Sequence, residues 1–164
     1  MAVELTRDEI QDFLATHYIG HLGMVEGERP YVVPIAYAFS NGAIYCHSAQ
    51  GMKVQAMRAR PDVCFEVDDV ESIDRWRSVI AWGTFEQLVG ADAISGREIL
   101  VDRLRPLAVA RESDPPPVAG AGLLRALDIP RLEEARAGIA RPSSAGVVFR
   151  IELSGASGRL ECPE

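Results

Sequence analysis

The clearest pattern along this chain is a pair of apolar runs separated by turn-forming residues. Tyr31 to Phe39 is rich in β-branched and aromatic side chains, and Ala43 to His47 is a shorter run of the same kind. Between them stands Ser40-Asn41-Gly42, in which the Asn-Gly pair suits a tight turn with positive φ angles. The pattern predicts a β-hairpin over residues 30–48.

Segments with the residue spacing of a helix lie on both sides of this hairpin. Thr6-Arg7-Asp8-Glu9 has the form of a capping box, and apolar residues then recur at helical intervals, which predicts a helix over residues 7–17 that ends before Gly20. A second, short helix is expected from about Met52 to Arg60, just before Pro61. Outside the hairpin, strands are predicted near residues 20–26, 62–68 and 76–88.

The chain changes character after residue 90. Residues 91–105 have a helical pattern, whereas residues 106–144 contain a proline run, a Gly/Ala-rich stretch and helix-like pieces near 120–127 and 130–139. Residues 106–144 contain few large apolar side chains, so this segment could hardly form a hydrophobic core of its own. We therefore expect a helical insertion or mobile lid at about 91–144, which covers one side of the main fold.

Clean apolar alternation returns from Val147 to Leu153 and predicts a last strand, with an exposed tail from Ser154 onward. Antiparallel strands with short links and few helices indicate an α+β, mainly β fold. Closure into a small split β-barrel with peripheral helices would remove the exposed edges of an open sheet. A chain of 164 residues with 48% hydrophobic and 25% charged residues fits one such domain over residues 1–164.

Charge and hydropathy narrow the classes of partner. The formal net charge is −7, and the sequence has no basic run, so nucleic acid is not an expected partner. The first residues lack a basic segment followed by an apolar run, and no stretch is long and apolar enough to span a bilayer. We expect a cytoplasmic protein without membrane association.

Cysteine and histidine spacing gives no sign of a metal site or a disulfide framework. Cys46, Cys64 and Cys162 are odd in number and lack the Cys-x-x-Cys spacing. Strand alternation would point Cys46 and His47 to opposite faces, which is a poor geometry for a catalytic pair. His17 and His21 have no evident third ligand, so we expect structural or solvent-facing histidines and no metal.

Polar residues gather where the second strand of the hairpin gives way to the short helix. His47 and Ser48 supply an imidazole and a hydroxyl, Gly51 allows close backbone approach, and Lys53 supplies an ammonium group. The free N–H groups at a helix start also favour an anion. The sequence therefore predicts a binding site for a phosphate-bearing cofactor.

Three segments resemble the FMN-binding split-barrel proteins related to pyridoxamine 5'-phosphate oxidase, and within them the branch of the nitroimidazole-resistance flavoproteins. They are Pro30-x-Val32-x-Pro34-Ile35-x-Tyr37, Tyr45-x-His47-Ser48-Ala49-x-Gly51-x-Lys53 and Trp76-Arg77-Ser78-Val79-x-x-x-Gly83. The resemblance runs from about Gly20 to Leu88, with a weaker match in the last strand.

The resemblance implies FMN as the cofactor, bound at the interface of a homodimer. The implied FMN-binding residues are Val33, Pro34, Ile35, Ala36, His47, Ser48, Lys53, Trp76, Arg77, Ser78 and Val79. Val33 to Ala36 would act through backbone groups. Met52 replaces an arginine of the oxidase members, and Ser78 replaces their glutamine. In the third segment, alternation places Arg77 and Val79 on one face and Trp76 and Ser78 on the other, and we expect Trp82 to pack in the core.

The function that follows is an FMN-dependent oxidoreductase, a reductase of a small nitro or quinone-like molecule. Vitamin B6 oxidation is disfavoured, because the C-terminus lacks the arginine, tryptophan and proline-rich ending of the oxidases proper. A non-enzymatic flavin-binding protein and a haem-binding split barrel are the alternatives, the latter with His47 on iron and Lys53 on a propionate. A deazaflavin cofactor also stays open. No residue is singled out as catalytic.

Overall fold

A computed structural model describes residues 2–109 and 146–162 of the chain. The helices are α1 (Arg7–Thr16), α2 (Met52–Ala59) and α3 (Gly90–Val109). The strands are β1 (Val3–Glu4), β2 (Ile19–Glu26), β3 (Arg29–Ser40), β4 (Ala43–Ser48), β5 (Asp62–Ser72), β6 (Arg75–Gln87) and β7 (Val147–Glu161).

The strands form one antiparallel sheet that closes on itself. Its order is β1-β7-β4-β3-β2-β5-β6, and a further pairing of β7 with β6 joins β2 to β7 into a barrel. Strand β1 adds two residues to the edge of β7. The predicted split β-barrel with peripheral helices is thus confirmed.

Two tight turns set the register of the first three barrel strands. Gly27 has φ 61° in the turn between β2 and β3, and Glu26 pairs with Arg29 across it. Asn41 and Gly42 have φ 50° and 76° in the turn between β3 and β4. Positive φ at both central residues is the geometry that matches the right-handed twist of a hairpin, so the Asn-Gly prediction is confirmed.

Apolar side chains of the strands and of two helices fill the barrel. Phe13 and Leu14 of α1 and Met57 of α2 pack with inward residues such as Tyr37 and Phe65. The predicted capping box starts α1, since the Thr6 side chain accepts from the Glu9 N–H and the Glu9 carboxylate accepts from the Thr6 N–H. The Tyr37 hydroxyl donates to the Leu14 carbonyl at 2.8 Å and ties the end of α1 to the barrel.

A second apolar cluster lies outside the barrel, between its wall and α3. Ala36, Ala38 and Ala43 present small side chains there, against which Leu100 and Leu104 of α3 pack. Small residues on the wall allow the helix to approach closely. Helix α3 therefore covers the outer side of β3, β4 and β7.

The structure differs from the sequence prediction at three places. Gly20 lies within β2 and does not end α1; its Cβ would stand 2.5 Å from Phe65 Cζ, so close packing is what requires glycine. Strand β7 continues to Glu161, since the largely exposed tail pairs with β6. Helix α3 extends through Pro106 to Val109. The helix-like pieces expected near 120–127 and 130–139 lie outside the described residues.

We predict that Gly83→Ala destabilises the barrel. A Cβ at Gly83 would lie 2.7 Å from Ile151 Cγ2 and would overlap the Glu152 backbone carbonyl, at an irregularity in the pairing of β6 with β7. We expect a loss of about 1–3 kcal/mol in the free energy of unfolding, measured by urea denaturation. Gly155→Ala is the matched control, because no described atom would lie within 4 Å of its Cβ. Equal stability of the two variants would contradict the close approach.

Candidate functional site

Among the described strands, β3 has a partner on one side only over most of its length. It pairs with β2 from Arg29 to Ala36, whereas its ladder with β4 covers Tyr37 to Ser40. Strand β4 has 6 residues against 12 in β3, and the chain then turns into α2. The part of β3 before Tyr37 therefore forms an open edge on its β4 side.

Backbone alternation shows which groups this open edge presents. The Tyr37 N–H donates to the Tyr18 carbonyl at 2.9 Å, so odd-numbered residues of β3 direct their backbone groups toward β2. The even-numbered residues Pro30, Val32 and Pro34 direct theirs to the open edge. Both prolines thus stand where a missing N–H breaks no ladder hydrogen bond, and Val32 offers both an N–H and a carbonyl.

This alternation refines the four strand residues predicted from the sequence. The carbonyl of Pro34 faces the open edge, and Ala36 lies where the ladder with β4 begins. Val33 and Ile35 use their backbone groups toward β2, and their side chains pack in the barrel core. The prediction did not include Val32; the two prolines at even spacing within an apolar strand were the available signal.

The start of α2 lies beside the end of β4. Ser48 ends β4 with only 6% of its surface exposed, and its hydroxyl donates to the Ala49 carbonyl at 2.9 Å. Gly51 occupies the N-cap position and gives α2 no side-chain cap. Within the part of the chain that the structure describes, no side chain caps the first N–H groups of α2, and they carry the positive end of the helix dipole.

Lys53 lies in the first turn of α2 and is half-buried. Burial raises the pKa of the Cys46 thiol, which lies in the barrel core, and the Lys53 ammonium acts on that pKa in the opposite direction. The ammonium group therefore lies within electrostatic range of the inner end of β4. A cation, a hydroxyl and free helix N–H groups together favour a bound anion.

His47 faces away from Ser48, as strand alternation requires. It pairs with Val148 of β7 and is half-buried on the outer side of the wall. Gly146 has φ 63°, and its Cβ would stand 2.5 Å from the His47 Nε2 atom. The backbone entering β7 thus lies directly against the imidazole. The prediction that Cys46 and His47 face opposite ways is confirmed.

The third predicted segment belongs to β6. Val79 is fully buried in the barrel, and the Arg77 guanidinium lies 5.6 Å from the centre of the Phe13 ring. Trp76 and Ser78 are half-buried on the opposite, outer side, so the predicted alternation is confirmed. On the short way round the barrel, β7 is the one strand between β4 and β6, but His47 pairs with Val148 of β7 and Ser78 with Arg159, eleven residues further along. At about 3.3 Å per residue, roughly 36 Å of strand length lies between them. One chain does not bring this segment to the start of α2.

The outer side of the first half of β3 and of β2, β5 and β6 exposes large apolar side chains. Val32 is 62% exposed, Trp82 48% and Ile80 39%, and we call this surface the outer face. The expectation that Trp82 packs in the core is therefore wrong, because its strand position points outward. A groove of about 500 Å³ crosses the face, lined by Pro30, Val32, Cys64, Trp82, Thr84 and others. Two residues of the open edge, Pro30 and Val32, thus also line the groove.

Comparison with known proteins identifies the family. The model of the pyridoxamine 5'-phosphate oxidase family matches residues 6–126, and the chain belongs to this family. A curated but uncharacterized protein of Rhizobium meliloti is 33% identical over 84 residues, which is 51% of this chain and 56% of that protein's length. The chain thus matches little more than half of that relative.

Solved structures share the fold over nearly the whole chain. An FAD-binding protein from Mesorhizobium loti is 26% identical with a TM-score of 0.67, and the alignment covers 99% of both chains. A candidate 5-nitroimidazole antibiotic resistance protein from Bacteroides thetaiotaomicron is 16% identical with a TM-score of 0.61, covering 100% of this chain and 92% of that one. Within the described residues, no helix has the length and apolar character needed to cross a membrane.

Proposed function

We propose that the protein is an FMN-binding flavoprotein that acts as an oxidoreductase on a small planar molecule. The observation that carries the proposal is the junction of the open edge of β3 with the start of α2. The edge of β3 offers the carbonyls of Val32 and Pro34 and the N–H of Val32, and the start of α2 offers N–H groups that suit an anion. The residues at this junction are Val32, Pro34, Ser48, Gly51 and Lys53.

The residues at the junction fit the chemistry of FMN. A phosphate monoester carries a charge of about −1.5 to −2 at neutral pH and accepts several hydrogen bonds. Lys53, the N–H groups of α2 and a reoriented Ser48 hydroxyl can supply them. The flavin ring has an N–H donor and carbonyl acceptors, which match the Pro34 carbonyl and the two backbone groups of Val32. One lysine at one helix start suits the single phosphate of FMN.

A homodimer forms part of the proposal. Trp76 and Ser78 lie far along the wall from the start of α2 in the same chain, so a second copy would be needed to place them near that flavin. The outer face supplies an apolar surface on which two copies can pair, centred on Val32, Ile80 and Trp82.

The groove supports a planar apolar substrate. It adjoins the open edge at Pro30 and Val32, and Trp82 offers an aromatic wall. Among the described residues, no lysine or arginine lines it, so this part of the chain offers a substrate phosphate no cation there. Nitro or quinone-like compounds therefore fit better than pyridoxamine 5'-phosphate. The flavin would supply the electrons, while the protein orients the substrate and excludes water.

We expect Lys53→Ala to weaken FMN binding about tenfold to a hundredfold, because a charge-assisted contact contributes about 1.5–3 kcal/mol. Fluorescence quenching of FMN on titration with the protein measures the affinity. Arg60→Ala is the matched control, since it removes one positive charge from the exposed end of the same helix. Equal loss in both variants would show a general charge effect and would contradict a phosphate site at Lys53.

The absorption spectrum of the purified protein separates the competing cofactors. Two visible flavin bands that bleach with dithionite are expected after FMN is added, and FAD and a deazaflavin added in parallel should bind less tightly. A single intense Soret band, as haem proteins show, would instead favour a haem-binding barrel if the His47→Ala variant lost it. Failure of every flavin to bind would refute the proposed cofactor.

We expect the FMN-loaded, dithionite-reduced protein to be reoxidised by a quinone or a nitroaromatic compound without oxygen. In the quinone reaction, two electrons and two protons pass to the quinone as the flavin is oxidised. Stopped-flow absorbance follows the return of the flavin bands. Trp82→Ala should slow reoxidation at low substrate concentration, because it removes the aromatic wall of the groove. Tight FMN binding without reoxidation by any such acceptor would instead indicate a flavin carrier.

We expect Trp82→Asp to convert a dimer into a monomer, because it places a charge in the centre of the proposed apolar interface. Light scattering coupled to gel filtration measures the mass. Ile94→Asp is the control: Ile94 is 54% exposed but belongs to α3, which covers the other side of the barrel. A wild-type protein that is monomeric at all concentrations, or a Trp82→Asp variant that stays dimeric, would contradict this interface.

A further inference from the structure

Three potential metal ligands meet on the outer side of β2 and β5. His21 stands directly opposite Glu66 in the ladder between these strands. Asp68 follows two residues after Glu66, so its side chain points to the same face. One ligand atom from each of the three residues lies within 4.8 Å of the other two, and His21 Nδ1 is 3.1 Å from the nearer Glu66 oxygen.

The charges around this cluster favour a cation. The Glu66 and Asp68 carboxylates lie close together on this face, and His21 lies beside them. Among the described residues, His21 is the one basic partner of Glu66, and Asp68 forms no ion pair. Two carboxylates close together without a lysine or arginine repel each other, and a bound cation would remove that repulsion.

The backbone holds the three residues in place. His21 pairs with both Pro34 of β3 and Glu66 of β5, and Glu66 also pairs with Ile80 of β6. Asp68 pairs with Ser78 of β6, just beyond the end of the ladder with β2. The side chains of His21 and Glu66 are 46% and 31% exposed, which leaves the cluster open to ions from solvent. The donors are therefore preorganised, and water can complete the coordination.

We propose that His21, Glu66 and Asp68 bind a divalent first-row transition-metal ion such as Zn²⁺, Co²⁺ or Mn²⁺. One imidazole nitrogen with two carboxylate oxygens suits these ions better than Mg²⁺ or Ca²⁺, which prefer oxygen ligands alone. The site differs from the sequence expectation of no metal. That expectation considered His21 only together with His17. His17 instead caps α1 and contacts the Phe13 carbonyl, and the partners of His21 in the cluster come from β5.

Titration with Co²⁺ tests the proposal, because bound Co²⁺ gives visible absorption that reports its ligands. The full chain, dialysed against a chelator, should take up one Co²⁺ per chain, and Zn²⁺ should displace it. His21→Gln and Asp68→Asn should each weaken uptake by at least about tenfold. His17→Gln is the matched control and should bind as the wild type does, since His17 lies outside the cluster.

Two results would overturn the site. The first is the absence of saturable Co²⁺ uptake up to about 1 mM, the weak end of protein metal sites. The second is uptake that is equal in the wild type and in His21→Gln. The Lys53→Ala variant distinguishes this proposal from the flavin proposal. It removes the proposed phosphate ligand, so FMN binding should weaken while Co²⁺ uptake stays unchanged.

Discussion

Closure of the barrel by a single long strand is the constraint on which the rest of this structure depends. Strand β7 has 15 residues and pairs with β4 through its first part and with β6 through nearly all of its length. A sheet closed in this way has no free edge except where one strand is too short. Strand β4 is one such strand: it leaves β3 after the pair of Tyr37 with Cys46, and α2 begins soon afterwards. The candidate cofactor site is thus a direct result of unequal strand lengths.

The same closure gives the barrel wall two different outer sides. One carries the alanines of β3 and β4 and is covered by α3, while the other carries Val32, Ile80 and Trp82 and is exposed to solvent. The groove, the proposed dimer surface and the proposed metal cluster all belong to the second side.

Much of the fold and part of the candidate site could be predicted from the sequence. The hairpin turn at Asn41-Gly42 and the capping box of α1 are local, since a few adjacent residues contain all the groups involved. The cluster of Ser48, Gly51 and Lys53 was predictable for the same reason: it lies within six residues at one strand-to-helix junction. Trp82 was misplaced because alternation shows which residues share a face but not which face is covered.

What the sequence determined by itself was the main helices and strands other than the two-residue β1, the alternation within each strand and the polar residues at the start of α2. Only the tertiary structure decided which strand ends early against its neighbour, which side of the wall α3 covers, and that His21 meets Glu66 across 45 positions of chain. The physical reason is that turns and caps depend on neighbouring residues. Ladder register and barrel closure depend instead on the simultaneous pairing of distant strands, which no local pattern contains.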